Sequence, residues 1–582
     1  MRKPRNSPPK PQASHVQVSL TGQGGSLLLR RGRILDVFSG DVHPADILIL
    51  GREIVAVGDG FYRADRVVDC TGKVILPGFI DGHIHIESSM LQPSEFCRLA
   101  LPHGTTGVVC DPHEIANVLG MKGIDYLLRA TEDLPLDFYF MAPSCVPATL
   151  METSGAIIGV KEIRALLKLP RVLGLAEFMN FPGVISEDPD AKAKLDAARE
   201  AGKPIDGHAP GLRGNALQAY VNAGVGSDHE CTTREEAREK LRAGMRIMMR
   251  EGSAARNMNA LLPILHACNS RRCMFVSDDR HPVELMQEGH LDAVLRKALA
   301  LGLDAVSAVQ MVTLNVAEYF GLKKQGAIAP GFVADLTIVG NLEQFQVTDV
   351  IKSGKTVVTG GRLQVQLAGH QDKSVLKSMN PRTFTAKDFV IPAKVGEARV
   401  IRLVPDQIVT TTWLAQPRVE RKQVVADTER DILKLAVIER HRKTGNVGLG
   451  LVAGFGMKKG ALASSVAHDS HNIIVVGTND KDMLVAAKRL VAIGGGFVAA
   501  TKGKVVAEVP LAIAGLMSEK PAEEVVAQVN AIMKTARNWG VRLNNPFAAL
   551  SFLALPVIPE LKLTDKGLVD VNQFKVVPLW AD

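Results

Sequence analysis

A repeated strand–helix rhythm between residues 78 and 321 restricts the fold more than any other feature of the sequence. Short apolar segments alternate there with amphipathic stretches, and eight of the apolar segments have the length and composition of β-strands. These segments are Phe79–His85, Thr106–Cys110, Phe138–Ala142, Val172–Glu177, Pro204–His208, Val225–His229, Arg246–Arg250 and Cys273–Asp278. Alternation predicts a parallel sheet, and eight units in roughly 245 residues match the size of a closed (β/α)8 TIM-type barrel. A doubly wound open sheet is the structural alternative, although the region has no GxGxxG motif.

The segments on both sides of this region predict further domains. Residues 24–77 and 322–365 contain short apolar strands broken by Gly and Asp, which predicts a small β-sandwich-like domain built from both flanks of the 78–321 barrel. Residues 366–385 are polar and irregular, as in a linker, and residues 386–582 mix strand and helix patterns, as in an α+β domain. Residues 1–23 are basic and rich in proline, so we expect a disordered tail.

Composition and charge exclude several classes of function. The chain has 69 Lys and Arg against 61 Asp and Glu, a formal net charge of +8, and only 5% aromatic residues. This balance favours a generic basic surface over a platform for nucleic acid, so no nucleic-acid partner is expected. No apolar run reaches the roughly 18 residues of a membrane span, and no signal peptide is recognised, so no membrane partner is expected. The seven cysteines are scattered without a CxxC pair, as free thiols are in the cytoplasm.

Metal-competent residues stand at the ends of the predicted strands. The first strand ends in DGHIHIES, and the two histidines point to one face because residues i and i+2 of a strand do so. Taken alone, the pair could equally be two hydrogen-bonded histidines of a core. With the later strands, the set is His83, His85, Glu177, His208, His229 and Asp278. The C-terminal ends of barrel strands share one rim, so we expect these six side chains to converge on a metal centre.

The chemistry of this ligand set indicates a two-metal hydrolase. Four histidines and two carboxylates suit divalent ions such as Mn, Fe, Zn or Co better than Mg or Ca. Six protein ligands are too many for one catalytic ion that keeps an open position, so we expect two ions that share Glu177. Two cations that share a water lower its pKa from 15.7 toward about 7. Asp278, beside that water, is the expected proton shuttle to the leaving group.

Longer motifs resemble a known family. ILPGFIDGHIH (75–85) and the pattern GxIxPGxxADL (326–336) are similar to the amidohydrolase superfamily. Within it, the chain resembles the bacterial adenine deaminases over about 24–582. The stretches that carry this resemblance are HIESSM (85–90), GTTGVVCDPHEIANV (104–118), LAEFMN (175–180), GHAPGL (207–212), SDHECT (227–232), REGSAARN (250–257), FVSDDR (275–280) and VAHDSHNI (466–473). Many superfamily members bridge their metals with a carboxylated lysine on strand four, whereas this chain has Glu177 there, as adenine deaminases do.

The resemblance implies hydrolytic deamination of a purine, adenine, to hypoxanthine and ammonia. It also implies two manganese or iron ions, with zinc as a further candidate, and a homo-oligomer such as a dimer. The alternative within the superfamily is a cyclic amide hydrolase of the hydantoinase or dihydroorotase type, against which Glu177 weighs. A non-catalytic barrel protein is a second alternative, and the loss of a ligand that would signal it is not seen. The zinc deaminases with a P-C-x-x-C motif are excluded because the chain lacks C-x-x-C.

Polar residues beyond the strand ends are candidates for contacts with the purine. His113 and Glu114 follow strand two, and Glu114 is the candidate acid for ring atom N1; the alternative is a pair that satisfies N–H groups at a helix start. Glu251 and Ser253 follow strand seven and are predicted to contact substrate. Asp279 is a further candidate. It either raises the basicity of the Asp278 carboxylate by charge repulsion or caps the following loop.

Two other stretches have alternative interpretations. Glu87 and Ser88 directly follow the HxH motif and are expected to orient its imidazoles. His468, Asp469 and His471 interrupt an apolar run in VAHDSHN. We interpret that stretch as a loop that closes over the substrate, and a simple turn between two strands is the alternative.

Overall fold

The computed structural model describes residues 14–581 except 61, 254 and 406. The described residues divide into two compact units. The first unit is made of 14–80, 101–106 and 295–365. The second unit is made of 81–100, 107–294 and 366–581. All of the predicted site residues fall in the second unit.

The first unit is built on a sheet that has nine strands among the described residues. Eight of them lie in the spatial order Arg362–Leu363, Lys355–Thr359, Val347–Lys352, Leu336–Val339, Val74–Pro77, Gly25–Leu35, Val42–Leu50 and Glu53–Gly58. The ninth, Ala64–Asp69, pairs in parallel with Gly25–Leu35. The two flanks of the chain meet where Val74–Pro77 pairs antiparallel with Leu336–Val339. Both flanks therefore contribute to one continuous sheet, with helices Ala305–Gln310 and Leu314–Phe320 in the same unit.

A short helix lies inside the segment predicted as a disordered tail. His15–Thr21 is helical, Ser14 caps it by accepting from the N–H of Gln17, and Gly22 ends it in the left-handed conformation. Val18 is fully buried against Leu28 and its neighbours on the sheet. The prediction of disorder is therefore wrong for 15–21, because the buried Val18 and a hydrogen bond from the Ser19 hydroxyl to Val55 O (2.6 Å) hold the helix on the sheet. Residues 1–13 lie outside the described part of the chain.

The eight predicted strands are all present, and the bounds of each lie within two residues of the predicted ones. They are Phe79–Ile84, Thr105–Cys110, Asp137–Ala142, Val172–Phe178, Ile205–Gly207, Ser227–Asp228, Arg246–Arg250 and Cys273–Val276. The first five form one sheet in chain order and the last three form another. Backbone hydrogen bonds link the two sheets at both edges, from Gly226 N to Ile205 O (2.9 Å) and from Asp278 N to His83 O (2.9 Å). Complete closure of an eight-stranded barrel stays a prediction.

Helices follow these strands, as an α/β fold requires. They are Pro93–Ala100, His113–Leu119, Met121–Ala130, Val160–Leu166, Phe181–Ile185, Pro189–Glu200, Gly214–Asn222, Arg234–Arg242, Met258–Leu261, Pro282–Gln287 and Leu291–Ala300. The helix predicted to start near residue 233 begins as expected, because the Thr233 hydroxyl accepts from the N–H of Glu236 at 3.3 Å.

The C-terminal part of the second unit is a mixed α+β layer. Among the described residues its main sheet has eight strands in the order Thr410–Ala415, Ala398–Leu403, Val447–Ala453, Ile432–Ile438, Ile473–Gly477, Ala461–Ser464, Gly496–Thr501 and Lys504–Pro510. Its smaller sheets pair Val419–Glu420 with Gln423–Val424, and Leu561–Thr564 with Gly567–Asp570 and Lys575–Val577. Its helices are Asp480–Ala492, Ala522–Asn538 and Pro546–Phe552. The loop 465–472, which joins two central strands, carries the HDSH stretch.

Two further sequence predictions concern the whole chain. No helix within the described ranges is long and apolar enough to cross a membrane. All seven cysteines are free thiols, as predicted, and six of them are buried.

Candidate metal centre

The six metal-competent side chains converge at the C-terminal ends of the parallel strands, with Glu177 at their centre. Glu177 Oε1 lies 3.3 Å from His85 Nε2 and 3.9 Å from His83 Nε2. Glu177 Oε2 lies 2.6 Å from His208 Nδ1 and 3.2 Å from His229 Nε2. Each oxygen of this one carboxylate therefore faces a different pair of imidazoles.

Asp278 completes the side of the centre that holds the first histidine pair. Its Oδ1 lies 3.2 Å from His85 Nε2 and 3.7 Å from His83 Nε2. Its Oδ2 accepts a hydrogen bond from Arg250 Nη1 at 2.5 Å. The backbone of Asp278 is left-handed, with φ of 56°, a conformation that non-glycine residues adopt rarely and that clusters at functional sites. The unusual backbone and the arginine together aim one carboxylate oxygen at the imidazoles.

The burial and the donor chemistry of these residues fit divalent metal ions. All six are at most 7% exposed. One buried ring nitrogen on each of His83, His208 and His229 has no hydrogen-bond partner among the described residues. The trios His83–His229–Asp278 and Glu177–His208–His229 each offer ligand atoms within 4.8 Å of one another. Imidazole nitrogens grouped around two buried carboxylates are what borderline divalent cations prefer.

The charges of the centre favour ionised carboxylates at Glu177 and Asp278 and a neutral ring at His83. Burial opposes the ionisation of Glu177, but His229 and His208 outweigh it and hold the pKa of Glu177 well below its ordinary value. Burial likewise opposes the charge of Asp278, and Arg250 together with His85 holds its pKa low. Burial and the neighbouring His229 lower the pKa of His83, so its ring is neutral and keeps a lone pair for a ligand bond.

Sequence reasoning missed two charged residues of this site. Arg250 is buried, and its Nη2 donates to Glu230 Oε2 at 2.9 Å while its Nη1 holds Asp278. Glu230 Oε1 lies 3.6 Å from His229 Nε2. The available signal was adjacency, because Glu230 directly follows a predicted ligand and Arg250 is the last residue of strand seven.

The buried side chain of Lys240 connects the chain segments that carry His208 and His229. Lys240 is 0% exposed, and its Nζ donates to Ala209 O at 2.7 Å, Asp228 Oδ2 at 2.5 Å and Glu236 Oε1 at 2.7 Å. Ala209 directly follows one ligand, His208, and Asp228 directly precedes another, His229. One ammonium group therefore ties two ligand-bearing segments together.

The predicted substrate contact His113 lies beside one of the six metal-competent side chains, Glu177. Its Nδ1 is 3.0 Å from Asp111 Oδ2 and 3.5 Å from Glu177 Oε1. Asp279 also lines the cavity at the centre and accepts from the Ser88 hydroxyl at 2.5 Å. Both residues thus face the space that a substrate would enter.

Three other predicted residues are engaged elsewhere. Glu251 Oε1 accepts from the N–H of Met258 at 3.0 Å, and Ser253 Oγ accepts from the N–H of His281 at 2.8 Å. Neither Glu251 nor Ser253 lines the cavity at the metal ligands. Glu87, which we expected to orient an imidazole, accepts instead from the N–H of Ile115 at 3.0 Å. The structure therefore does not bring these three side chains to the centre.

The 465–472 loop reaches the cavity and meets Glu114 there. His468 Nδ1 lies 2.5 Å from Glu114 Oε1, and His471 Nε2 bonds to Glu114 Oε2. Asp469 lies with its Oδ1 3.9 Å from His113 Nε2. The C-terminal part of the chain contributes one wall of the cavity: Ile408, His468, Asp469, Phe552, Leu555 and Ile558.

Comparison with known proteins identifies the family. Residues 74–357 match the amidohydrolase family, and residues 407–575 match the adenine deaminase C-terminal domain. The adenine deaminase of Desulfatibacillum aliphaticivorans is 50% identical over 554 residues, which cover 95% of this chain and 97% of that protein. The adenine deaminase of Methanothrix thermoacetophila is 50% identical over 557 residues, which cover 96% and 97%. This chain belongs to the adenine deaminase family.

Membership of the adenine deaminase family accounts for the two-part construction of the cavity. The six metal-competent residues lie within the amidohydrolase match, and the opposite wall lies within the match to the family's C-terminal domain. A similar solved structure is a beta-aspartyl dipeptidase of Fervidobacterium islandicum AW-1, with a TM-score of 0.46 and 16% identity, covering 58% of this chain and 99% of that chain. A likeness at that level carries no argument about this site.

Proposed function

We propose that this protein catalyses the hydrolytic deamination of adenine to hypoxanthine and ammonia. Its membership of the adenine deaminase family over nearly the full chain supports this activity. The observation that carries the proposal is the position of Glu177, with one oxygen toward each histidine pair. That arrangement suits two cations that share one carboxylate. A glutamate instead of a lysine at this point of strand four weighs against the cyclic amide hydrolase.

The proposed ligands divide between two ions. His83, His85 and Asp278 would hold one ion, His208 and His229 would hold the other, and Glu177 would serve both. Bound divalent cations supply a water that ionises near neutral pH. Manganese or iron is the proposed metal, with zinc as the alternative, because imidazole and carboxylate donors suit all three.

The chain's own residues would move the protons and enclose the purine. Asp278 would accept a proton from the attacking water and return it to the departing amino group. Arg250 holds one oxygen of Asp278, so the other stays directed at the imidazoles. The apolar side chains of Phe552 and Leu555 line the cavity and exclude bulk water from it. The homodimer and the cytoplasmic location stay predictions.

A spectrophotometric assay tests the proposed reaction. The full-length protein is purified, loaded with Mn²⁺ or Fe²⁺ and given adenine, and the conversion to hypoxanthine is followed by ultraviolet absorbance. Dihydroorotate and hydantoin are offered in parallel. Consumption of adenine alone is the expected result. A metal-loaded protein that opens a cyclic amide and leaves adenine unchanged contradicts the proposal.

The variant Glu177→Gln tests the shared carboxylate. An amide offers one oxygen and no charge, so we expect bound metal and deaminase activity to be lost together. Glu235→Gln, an exposed glutamate on the helix Arg234–Arg242, is the control and should change neither. Full activity with two bound ions in Glu177→Gln would remove the bridging role.

A further inference from the structure

Glu114 lies between two histidines of the C-terminal loop, and this trio carries an inference about proton delivery. Glu114, His468 and His471 are 2%, 7% and 1% exposed. Glu114 comes from the helix His113–Leu119, and both histidines come from the 465–472 loop. Each Glu114 oxygen bonds to a different imidazole. Both oxygens of the carboxylate are therefore engaged by imidazoles.

The hydrogen bonds of His471 fix which of its nitrogens carries the hydrogen. Its Nδ1 accepts from the N–H of Ala467 at 3.2 Å. In a neutral ring the hydrogen must then sit on Nε2, which donates to Glu114. Burial lowers the pKa of His471 to about 4, in agreement with a neutral ring. Burial opposes the charge of Glu114, but His468 and His471 outweigh it and hold its pKa well below the ordinary value.

Glu114 lines the cavity too, but of the two histidines in the trio the one that lines it is His468. Its Nδ1 lies 2.5 Å from Glu114 Oε1 in an ion pair, so Nε2 is the ring nitrogen left for a ligand. Burial opposes a charge on this ring, but the Glu114 carboxylate outweighs it and raises the pKa of His468 to about 9. Phe552 stacks on the imidazole, with ring centroids 4.7 Å apart and an interplanar angle of 22°, and fixes its plane. The ring is thus a protonated, oriented donor in the cavity wall.

We propose that His468 is the catalytic acid that protonates ring atom N1 of adenine and that Glu114 is its positioning residue. This inference rests on the proposed deamination and revises the prediction that Glu114 itself supplies the proton. The arrangement follows a general pattern in which a carboxylate bound to one imidazole nitrogen orients the other nitrogen toward the substrate. It assigns a catalytic role to the family's C-terminal domain.

The proposed step balances in atoms and electrons. As the water oxygen forms a bond to C6, the π bond between C6 and N1 breaks, and its electron pair moves to N1. N1 takes the proton from His468 Nε2, and the imidazolium becomes a neutral imidazole. The C6–amino bond then breaks, ammonia leaves with the proton returned by Asp278, and the C6 hydroxyl becomes a carbonyl. The C6 hydroxyl releases its proton in that last step, and the neutral imidazole of His468 takes up one proton, so the acid is restored.

Acidic groups dominate the surroundings of His468. Three carboxylates raise its pKa, and two nearby histidines belong to the same cluster. The charged and titratable neighbours are Glu114, Asp279, Asp469, His281 and His471. Activity that requires protonated His468 should fall as pH rises through the pKa of this ring.

Kinetics of metal-loaded variants test the assignment. In His468→Gln, kcat/KM for adenine should fall by about 100- to 10,000-fold, the usual contribution of a general acid, while two metal ions stay bound. The pH profile of the His468→Gln variant should no longer show the fall in kcat/KM at high pH. In Glu114→Gln the same loss should move to lower pH, because the carboxylate that keeps the imidazole protonated is gone. His370→Gln, which removes a ring beside Tyr126, is the matched control.

A double variant separates this role from a structural one. If Glu114 acts through His468, then Glu114→Gln should cost almost nothing further in the His468→Gln background. Retention of activity in His468→Gln within twofold of the unmodified protein overturns the inference, and so does loss of bound metal in that variant. The inference is also overturned if the fall in kcat/KM at high pH disappears in Asp469→Asn and persists in His468→Gln. An unmodified protein without adenine deaminase activity would refute the proposed function itself.

Discussion

Replacement of Lys240 by methionine should loosen the second histidine pair. The ammonium group contacts two buried carboxylates, Asp228 and Glu236, which are 0% and 2% exposed. Removal of one partner of a buried ion pair costs about 3–5 kcal/mol, because the other charge stays buried without compensation. Two carboxylates lose the same cation here, so we expect the upper end, about 5 kcal/mol. The same change releases the carbonyl of Ala209 beside a metal ligand.

Thermal unfolding and metal analysis measure this effect together. The entropy of unfolding is about 2.1 cal/mol/K per residue, so in a unit of about 420 residues a loss of about 5 kcal/mol should lower the melting temperature of the metal-loaded Lys240→Met variant by about 5 °C. It should also retain fewer than two metal ions per chain, because His208 and His229 are no longer held in register. Lys488→Met, at an exposed lysine of the helix Asp480–Ala492, is the control and should change neither quantity.

A compensating variant distinguishes the charge from the packing. In Lys240→Met combined with Asp228→Asn and Glu236→Gln, no buried charge is left unpaired, so most of the lost melting temperature should return. The amide introduced by Asp228→Asn keeps an oxygen for the N–H of Glu230, which the Asp228 carboxylate binds at 2.6 Å in the unmodified protein. A Lys240→Met protein that melts within about 1 °C of the unmodified protein and binds two ions would refute the reasoning, given the scale above.

Three further predictions concern other buried charges and the metal. Arg250→Met should abolish most activity and lower the melting temperature. Adding Glu230→Gln to this variant should recover the melting temperature but not the activity. Equal loss of stability in the single and the double variant would contradict the ion pair between Arg250 and Glu230. Lys562 is fully buried with its Nζ on Ile408 O at 2.9 Å, and burial lowers its pKa to about 7, well below the ordinary value near 10.5. Between these two pKa values the unfolded chain binds a proton that the folded chain does not, so the stability of the unmodified protein should rise with pH. The melting temperature of Lys562→Met should therefore exceed that of the unmodified protein most at pH 7, and the difference should shrink toward pH 10. A difference that stays constant with pH would refute this. Chelation of the bound metal should lower both activity and melting temperature, and Mn²⁺ or Fe²⁺ should restore both; an unchanged melting temperature would argue against a buried metal centre.

Local patterns were sufficient to predict the strands and the convergence of the metal-competent side chains that follow them. The position of a residue on a strand also explains one error. Arg250 and Glu251 are consecutive, and consecutive strand residues point to opposite faces. Arg250 faces the metal ligands, while Glu251 turns away and binds the N–H of Met258. The sequence alone shows a charged pair without showing which member faces inward.

Contacts between distant segments could not be read from local patterns. The helix that carries Lys240 has the sequence REEAREKLR, which is typical of a solvated surface helix. The burial of Lys240 depends on Asp228 and Ala209, which other segments supply. Likewise, Glu114 and His468 meet although 353 positions separate them in the chain, and no spacing rule predicts such a contact.

The two-part cavity has a consequence for the order in which a cell makes this enzyme. A chain grows from its N-terminus at about 5–20 residues per second, so the last of the six metal-competent residues, Asp278, is synthesised roughly 15–55 s before Ile558 of the opposite wall. During that interval the nascent chain carries all six ligand groups and lacks the surface that encloses the purine. A message truncated between these two points would therefore encode all six metal-competent side chains without the opposite wall, and its product should show no deaminase turnover.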